Sequence, residues 1–420
     1  MRADSHRDRV AYLTDIEGQW HKLTAFLEGN PCVRLDAGGA LHVEPGCVFV
    51  FGGDAIDRGV SSRRIVRALY DLKKRQPDRV VLLVGNRDLN KIRLVRELVG
   101  APPAKAPPEL RTASPGTLLP WIFTHTMGAK DAFEHRRAEL TAEGRAADDE
   151  SVAGSYLEDL APDGDLTRYL SVCQLAHLEG DALFVHGAVT DENLGVVPGR
   201  DDALPSTAAW VEALNAFYAT DLAAWRRSLD APPELDTEAW AGRVLVDYQA
   251  PVPDTKLNQR SVIYGRPTDP INTPWLPSRA VVSRLRDDGI RRLFVGHTPS
   301  GDTPAVLRDE DFTFVMADNS YGRIETGSRV LLTATSTSLR GETQLDDGRR
   351  AEVAFEVDDD PMLGRYDAAT GELVKARLAT GEYLLFRALP ENKVSQVAVS
   401  PEALRERTLV APYRPTDDHR

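Results

Sequence analysis

The chain has 420 residues, 42% of them hydrophobic, which is enough to bury a large core and to form two or three structural units. A formal net charge of −13 at pH 7 argues against nucleic acid or an anionic membrane as partner and points to small or neutral ones. Cys32, Cys47 and Cys173 are odd in number and far apart, so a disulfide framework is not expected. No run approaches the roughly 20 apolar residues that span a bilayer, and the charged start leads into a strand without an apolar signal region, so the expectation is a cytoplasmic protein.

In chain order, residues 9–14 read as a first strand ending in Asp15, Ile16, Glu17 and Gly18, followed by a helix with Trp20, Leu23 and Leu27 on one face. Val48 to Phe51 is a continuous apolar run, a strand buried on both faces, which breaks at Gly52-Gly53 before Asp54, Asp57, Arg58 and Gly59. A helix over about 61–75 follows, with Ile65, Leu69 and Leu72 as its apolar face. Residues 79–84 form a third strand ending in Gly85-Asn86-Arg87-Asp88, where Asp88 is placed to cap the next helix. The proline-rich stretch 101–108 marks a boundary, and about 100–178 reads as a helical insertion.

Residues 181–185 form a fourth strand closed by His186-Gly187, and about 200–288 reads as a second helical insertion. Two more strands end in Gly296-His297-Thr298-Pro299 and in Asp318-Asn319. Residues 1–328 are therefore read as a core with two insertions, and 329–420 as a β-rich appendage of short strands and tight turns.

In an open sheet of parallel strands, ligands bind beyond the carboxyl ends of the strands, where residues from different strands converge. Here those residues are Asp15, Glu17, Asp54, Asp57, Arg58, Asn86, Arg87, His186 and His297. Carboxylates, an amide oxygen and imidazoles make a ligand set for hard or borderline divalent metals. Two such metals sharing a carboxylate can clamp a phosphate and activate water.

The motifs Asp15-x-Glu17-Gly18, Gly53-Asp54-x-x-Asp57-Arg58-Gly59, Gly85-Asn86-Arg87-Asp88, His186-Gly187 and Gly296-His297-Thr298-Pro299 together resemble, in order, the five motifs of calcineurin-like metallophosphoesterases. The second motif is similar to the phosphoprotein phosphatase and diadenosine tetraphosphatase branch. The resemblance covers roughly residues 9–320 and leaves out the insertions and the tail. It implies an α/β fold, a metallophosphoesterase-like β-sandwich flanked by helices.

The resemblance also implies two divalent ions, Mn2+ first, with Mg2+, Fe and Zn2+ as alternatives. Asp15 and Glu17 would hold one, Asp54 would bridge, and Asn86, His186 and His297 would hold the other, with a bridging hydroxide as nucleophile. Arg58 would bind phosphate oxygens. Asp57 is read as catalytic or as a partner that orients Arg58 or a ligand histidine. Tyr264 and Arg266, in Tyr264-Gly265-Arg266-Pro267, are candidates for a substrate loop.

Two positions depart from the family pattern. Glu17 stands where a histidine is usual, which makes that half of the site harder and more anionic. Arg87 stands where the family usually has a histidine that assists the leaving group; arginine stays protonated, so it can bind and stabilise charge but not supply a proton. His125, His177 or water are candidates for the missing acid. The expected function is hydrolysis of a phosphoric monoester or anhydride in a small phosphorylated metabolite or nucleotide. The alternatives are a protein serine/threonine phosphatase or a non-catalytic binding protein on the same fold.

Overall fold

The structure, a computed structural model, describes residues 9–231, 240–253, 255, 257–324, 329–333, 336–358 and 360–414. The strands Arg9–Leu13, Cys47–Phe51 and Val80–Leu82 are adjacent and parallel, joined by right-sized helical crossovers that include Trp20–Leu27 and Ser62–Arg75. A second sheet places Ala182–Val185, Arg292–Val295 and Phe312–Met316 parallel at its centre, with Ala176–Glu179 and Ala305–Asp309 antiparallel at its edges.

The period of two along each strand explains how the sheets stack. Val10, Tyr12, Val48, Val50 and Val81 from one sheet meet Phe184, Phe294, Val306 and Val315 from the other in a shared core. The ring of Tyr12 lies 5.5 Å from Phe184 and 5.7 Å from Phe294. The alternate residues Ala11, Leu13, Phe49 and Phe51 face outward onto Leu23, Phe26, Ile65 and Leu69 of the helices. The result is the expected helix-flanked β-sandwich. Among the described residues no helix is long and apolar enough to cross a membrane.

The first insertion is helical over Pro115–Thr126, Ala132–Ala142, Asp149–Asp159 and Asp165–Leu170. It is fixed to the helix Ser62–Arg75 by Arg63, which reaches Asp159 at 3.1 Å and Glu143 at 2.9 Å, while within the insertion Arg136 shares Asp159 at 2.6 Å. The second insertion contains the long helix Thr207–Ser228, the short helix Arg243–Tyr248 and the helix Arg279–Asp287.

The sequence division at 328/329 needs correction. The strand Arg329–Thr333 pairs antiparallel with Arg9–Leu13, and Thr337–Gln344 and Arg350–Glu356 extend the same sheet to six strands. Val330 and Leu339 lie in the core between the two sheets. Without these strands the Arg9–Leu13 edge of the parallel trio would be open, which sheets avoid. A separate five-stranded antiparallel sheet begins only at Tyr366.

That last sheet is tied to the strand-end face through Asp302. Its carboxylate accepts from Gln344 N at 2.9 Å, Thr343 Oγ1 at 3.2 Å, Gln396 Nε2 at 2.7 Å and Ile324 N at 3.1 Å. Lys375, fully buried, donates to Ser300 O, three residues after His297. Burial pushes the Lys375 ammonium down to about 7, against the pull of Asp302. An unfolded lysine keeps its proton to near 10.5, so between those values the unfolded chain binds more protons and stability falls as pH falls. Comparing urea midpoints, wild type should lose about 3 kcal/mol relative to Lys375→Met between pH 9.5 and pH 7. A constant difference would show that Lys375 does not titrate in the fold.

Candidate active site

Asp15, Asp54 and His297 each follow a strand end directly, and all three have left-handed backbones, with φ of 52°, 55° and 62°. Glu17 and Asp57, on the same turns, have φ of 46° and 104°. Non-glycine residues avoid this region at a cost of order 1–3 kcal/mol each, and a cluster of them marks a site whose surroundings hold it in shape. What holds it is Asp88. Its carboxylate, fully buried, accepts from Asp54 N at 3.0 Å, Ala55 N at 2.9 Å and Gly85 N at 3.1 Å, so it caps its own helix and clamps the Asp54 turn to it. Gly85 is required at this junction because a Cβ there would lie on the Asp54 carboxylate.

Asp54, His186 and His297 offer ligand atoms that all lie within 4.8 Å of one another, and all three residues are buried. His186 Nδ1 donates to Gly52 O at 2.8 Å, which fixes the tautomer and leaves Nε2 with its lone pair. That nitrogen is 3.3 Å from Asn86 Oδ1 and 3.4 Å from Asp54 Oδ1, so three electron-pair donors face one another with no proton assigned between them. His297 Nδ1 donates to Asn86 Oδ1 at 2.8 Å, and its buried Nε2 has no hydrogen-bond partner among the described residues. Burial, then the charge of Arg266, holds the His297 imidazole well below its usual pKa, hence neutral and able to ligate. This donor set fits one divalent cation.

The other half of the site is different. Glu17 Oε1 is 2.6 Å from Arg87 Nε, and Glu17 Oε2 is 3.3 Å from Arg58 Nη1. Asp15 accepts from Thr14 Oγ1 at 2.6 Å and from His297 N at 3.1 Å. Arg87 also lies 3.6 Å from Asp54 and 3.9 Å from Asp57. Burial pushes the Glu17 carboxyl up to about 7, against the pull of Arg87 and Arg58. Burial and the neighbouring Asp318 and Asp54 charges raise Asp15 well above the usual carboxylate range. Asp57 lies outside the recess that Asp54 lines, and its Oδ2 accepts from the fully buried Lys91 at 2.7 Å.

Asp15, Glu17, Asp54, Asn86, Arg87 and His297 line a recess of about 210 Å3, and Tyr264 and Arg266 also border it. Its walls come from three parts of the chain: Met127 and Gly128 from the first insertion, Tyr264, Arg266 and Asn272 from the second, and Asn392 from the C-terminal sheet. Asn272 Nδ2 donates to Asn392 Oδ1 at 2.8 Å, joining two of these walls. Tyr264 packs on His297 with ring centroids 4.9 Å apart. An adjoining cavity of about 490 Å3, sharing Gly128, Ser320 and Tyr321, is lined by Lys22, Arg58, Lys130 and His135. Arg58 stacks 3.9 Å above the Tyr321 ring at the boundary.

Some placements were not legible in the sequence. His125 stacks on Trp121 and His177 pairs with Glu179 at 3.1 Å, and neither lines the recess or the adjoining cavity, so water remains of the three candidates for the missing acid. Asp318, buried at a strand end, lines the recess; the strand Phe312–Met316 carries it there as the other strands carry Asp15 and Asp54. Lys22 is buried with no hydrogen-bond partner for Nζ among the described residues, although its place on the helix Trp20–Leu27 gives no sequence signal beyond a charge next to an apolar face.

No family model matches the sequence, and no curated protein matches it. Among solved structures, the chain is similar to the cold-active protein-tyrosine phosphatase of a psychrophilic Shewanella species, at 16% identity over 82% of this chain and 80% of that one, with a TM-score of 0.43. It is also similar to a protein serine/threonine phosphatase from Saccharomyces cerevisiae, itself similar to human PP5, at 13% identity over 86% and 84% of the two chains, with a TM-score of 0.38. A metallophosphoesterase from Sphaerobacter thermophilus matches at 12% identity over 83% and 88%, with a TM-score of 0.31. At such TM-scores these likenesses bear no functional weight, which falls on the residues at the strand ends.

Proposed function

We propose that this site hydrolyses a phosphoric monoester or anhydride in a small phosphorylated metabolite or nucleotide, with the help of a divalent metal. The observation that carries this reading is the convergence of Asp54, His186 and His297 within 4.8 Å, with Asn86 Oδ1 against both imidazoles, beside the guanidinium groups of Arg58 and Arg87. Two imidazoles, a carboxylate and an amide oxygen suit a hard or borderline divalent ion; Mn2+, which the motif resemblance implies, is the first choice, with Fe, Zn2+ and Mg2+ as alternatives. Such an ion supplies Lewis-acid charge to a phosphoryl oxygen and makes water a better nucleophile.

The protein's own part is positioning and charge. Arg58, held by Glu17, Ser320 O and the Tyr321 ring, offers a planar fork to phosphate oxygens. Arg87 cannot release a proton, so charge that develops on the leaving oxygen is met by fixed cations and by water. That suits a leaving group that is already acidic, such as the phosphate of an anhydride. Both insertions and the C-terminal sheet contribute walls to the recess, which favours a small molecule over a phosphorylated side chain on a folded protein. Lys22 and Arg58 in the adjoining cavity favour a second anionic group on the substrate.

The test is a panel of nucleotides, dinucleoside polyphosphates and a phosphopeptide with Mn2+-loaded protein. Turnover of the first two classes supports the reading; turnover of the phosphopeptide alone would establish the protein phosphatase instead. Lys22→Met should raise KM about 10-fold for a substrate with two phosphate groups and leave kcat within about twofold, because a single charge-assisted contact is lost in ground and transition state alike. An equal fall in kcat would place Lys22 at the reacting phosphorus.

A further inference from the structure

We infer that the site takes one divalent ion, and that the Arg87 guanidinium supplies the positive charge a second ion would bring; this rests on the metal-dependent reading above. The carboxylates that the sequence assigns to a first ion are Asp15 and Glu17, and in the fold both already have charged or hydrogen-bonding neighbours, although Glu17 Oε2 makes no hydrogen bond among the described residues. Both Glu17 oxygens face guanidinium nitrogens, Oε1 at 2.6 Å from Arg87 and Oε2 at 3.3 Å from Arg58. Both Asp15 oxygens accept from the backbone N–H of His297, and one also from Thr14. Among the described residues the cluster able to hold a metal contains Asp54, His186 and His297 but neither Asp15 nor Glu17.

Arg87 is built into this place rather than lying across it. Its backbone N donates to Asp54 Oδ1 at 2.9 Å, its carbonyl accepts from Lys91 at 3.0 Å, and its guanidinium meets Glu17, Asp54 and Asp57 together. The side chain is only 12% exposed. A buried permanent cation among three carboxylates offsets part of the charge that a metal would otherwise neutralise, and a divalent ion brought next to it would meet like-charge repulsion in a low-dielectric site.

The two departures from the motif pattern are thus one feature. Glutamate at 17 and arginine at 87 form an ion pair with each other, whereas two histidines there would leave Asp15 and Asp54 free to share an ion. A substrate phosphoryl group would then sit between the ion at Asp54, His186, His297 and Asn86 on one side and the paired guanidinium groups of Arg58 and Arg87 on the other.

The test is metal stoichiometry of the full chain after equilibration with excess Mn2+ and gel filtration, read by elemental analysis and by electron paramagnetic resonance. Wild type should hold one Mn2+ per chain with the spectrum of an isolated ion. Glu17→His/Arg87→His should hold two and show the spectrum of a coupled pair. Two ions in wild type, or one in a folded double variant, would overturn the inference while leaving metal dependence intact. No bound Mn2+ in wild type would overturn the metal-dependent reading and this inference with it.

Discussion

Asp54→Asn should lower kcat by about 10^3-fold while leaving the protein folded. The substitution keeps the shape of the side chain and the oxygen that accepts from Arg87 N at 2.9 Å, so the turn is preserved. What it removes is the only carboxylate in the cluster with His186 and His297. An ion there loses its anionic ligand, and the amide nitrogen takes the place of Oδ2, 3.6 Å from Arg87 Nε, where its hydrogens face a cation. Loss of one preorganised charge at a reacting phosphorus corresponds to roughly 3–4 kcal/mol in the barrier. The readouts are single-turnover phosphate release and metal content, which should fall together. Unchanged activity with unchanged metal content would place the chemistry elsewhere or show a non-catalytic protein.

Asp88→Ala should cost about 4 kcal/mol in stability and abolish metal binding along with it. The carboxylate touches no reacting group, yet it satisfies the amides of Asp54, Ala55 and Gly85 at full burial. Truncation would leave three buried donors without an acceptor, each costing on the order of 1–3 kcal/mol before relaxation. It would also release the left-handed Asp54, whose φ of 55° needs support. Asp88→Asn keeps one acceptor oxygen and should lose about half as much in urea unfolding. Equal, small losses in both variants would show that the Asp54 turn is held by something other than Asp88.

The parallel strands were legible in the sequence because strands buried on both faces read as unbroken apolar runs, and Val48–Phe51 and Leu293–Val295 are of that kind. The strand-end residues were legible for the same reason: once the runs are parallel, Asp15, Asp54, Asn86, His186 and His297 must share a face. The edges were harder. Ala305–Asp309 and Ala176–Glu179 are short and half polar, and a short run beside an insertion carries little periodic signal. The boundary at 328/329 misled because a change from long crossovers to tight turns marks a change in connection, and the sheet continues across it.

Within the site, spacing could place Glu17 and Arg87 at the ends of the strands that flank Cys47–Phe51 but could not show that they pair. Their contact at 2.6 Å depends on how the two turns approach across the sheet. The same holds for Lys91, which reads as an ordinary early-helix lysine and proves to be a fully buried partner of Asp57. Arg136 reads as a solvated charge and is buried against Asp159 instead, because its helix packs into the insertion with that face inward. In each case a buried cation was found by a carboxylate far away in sequence.

The decisive measurement is phosphate release from a nucleoside polyphosphate by purified protein before chelation, after removal of metal by a chelator, and after return of Mn2+. Activity that is lost on chelation, restored by Mn2+ in wild type and not restored in Asp54→Asn is the result expected of a metal held by Asp54, His186, His297 and Asn86. Release that survives complete metal removal, or that Asp54→Asn performs as well as wild type, would contradict it.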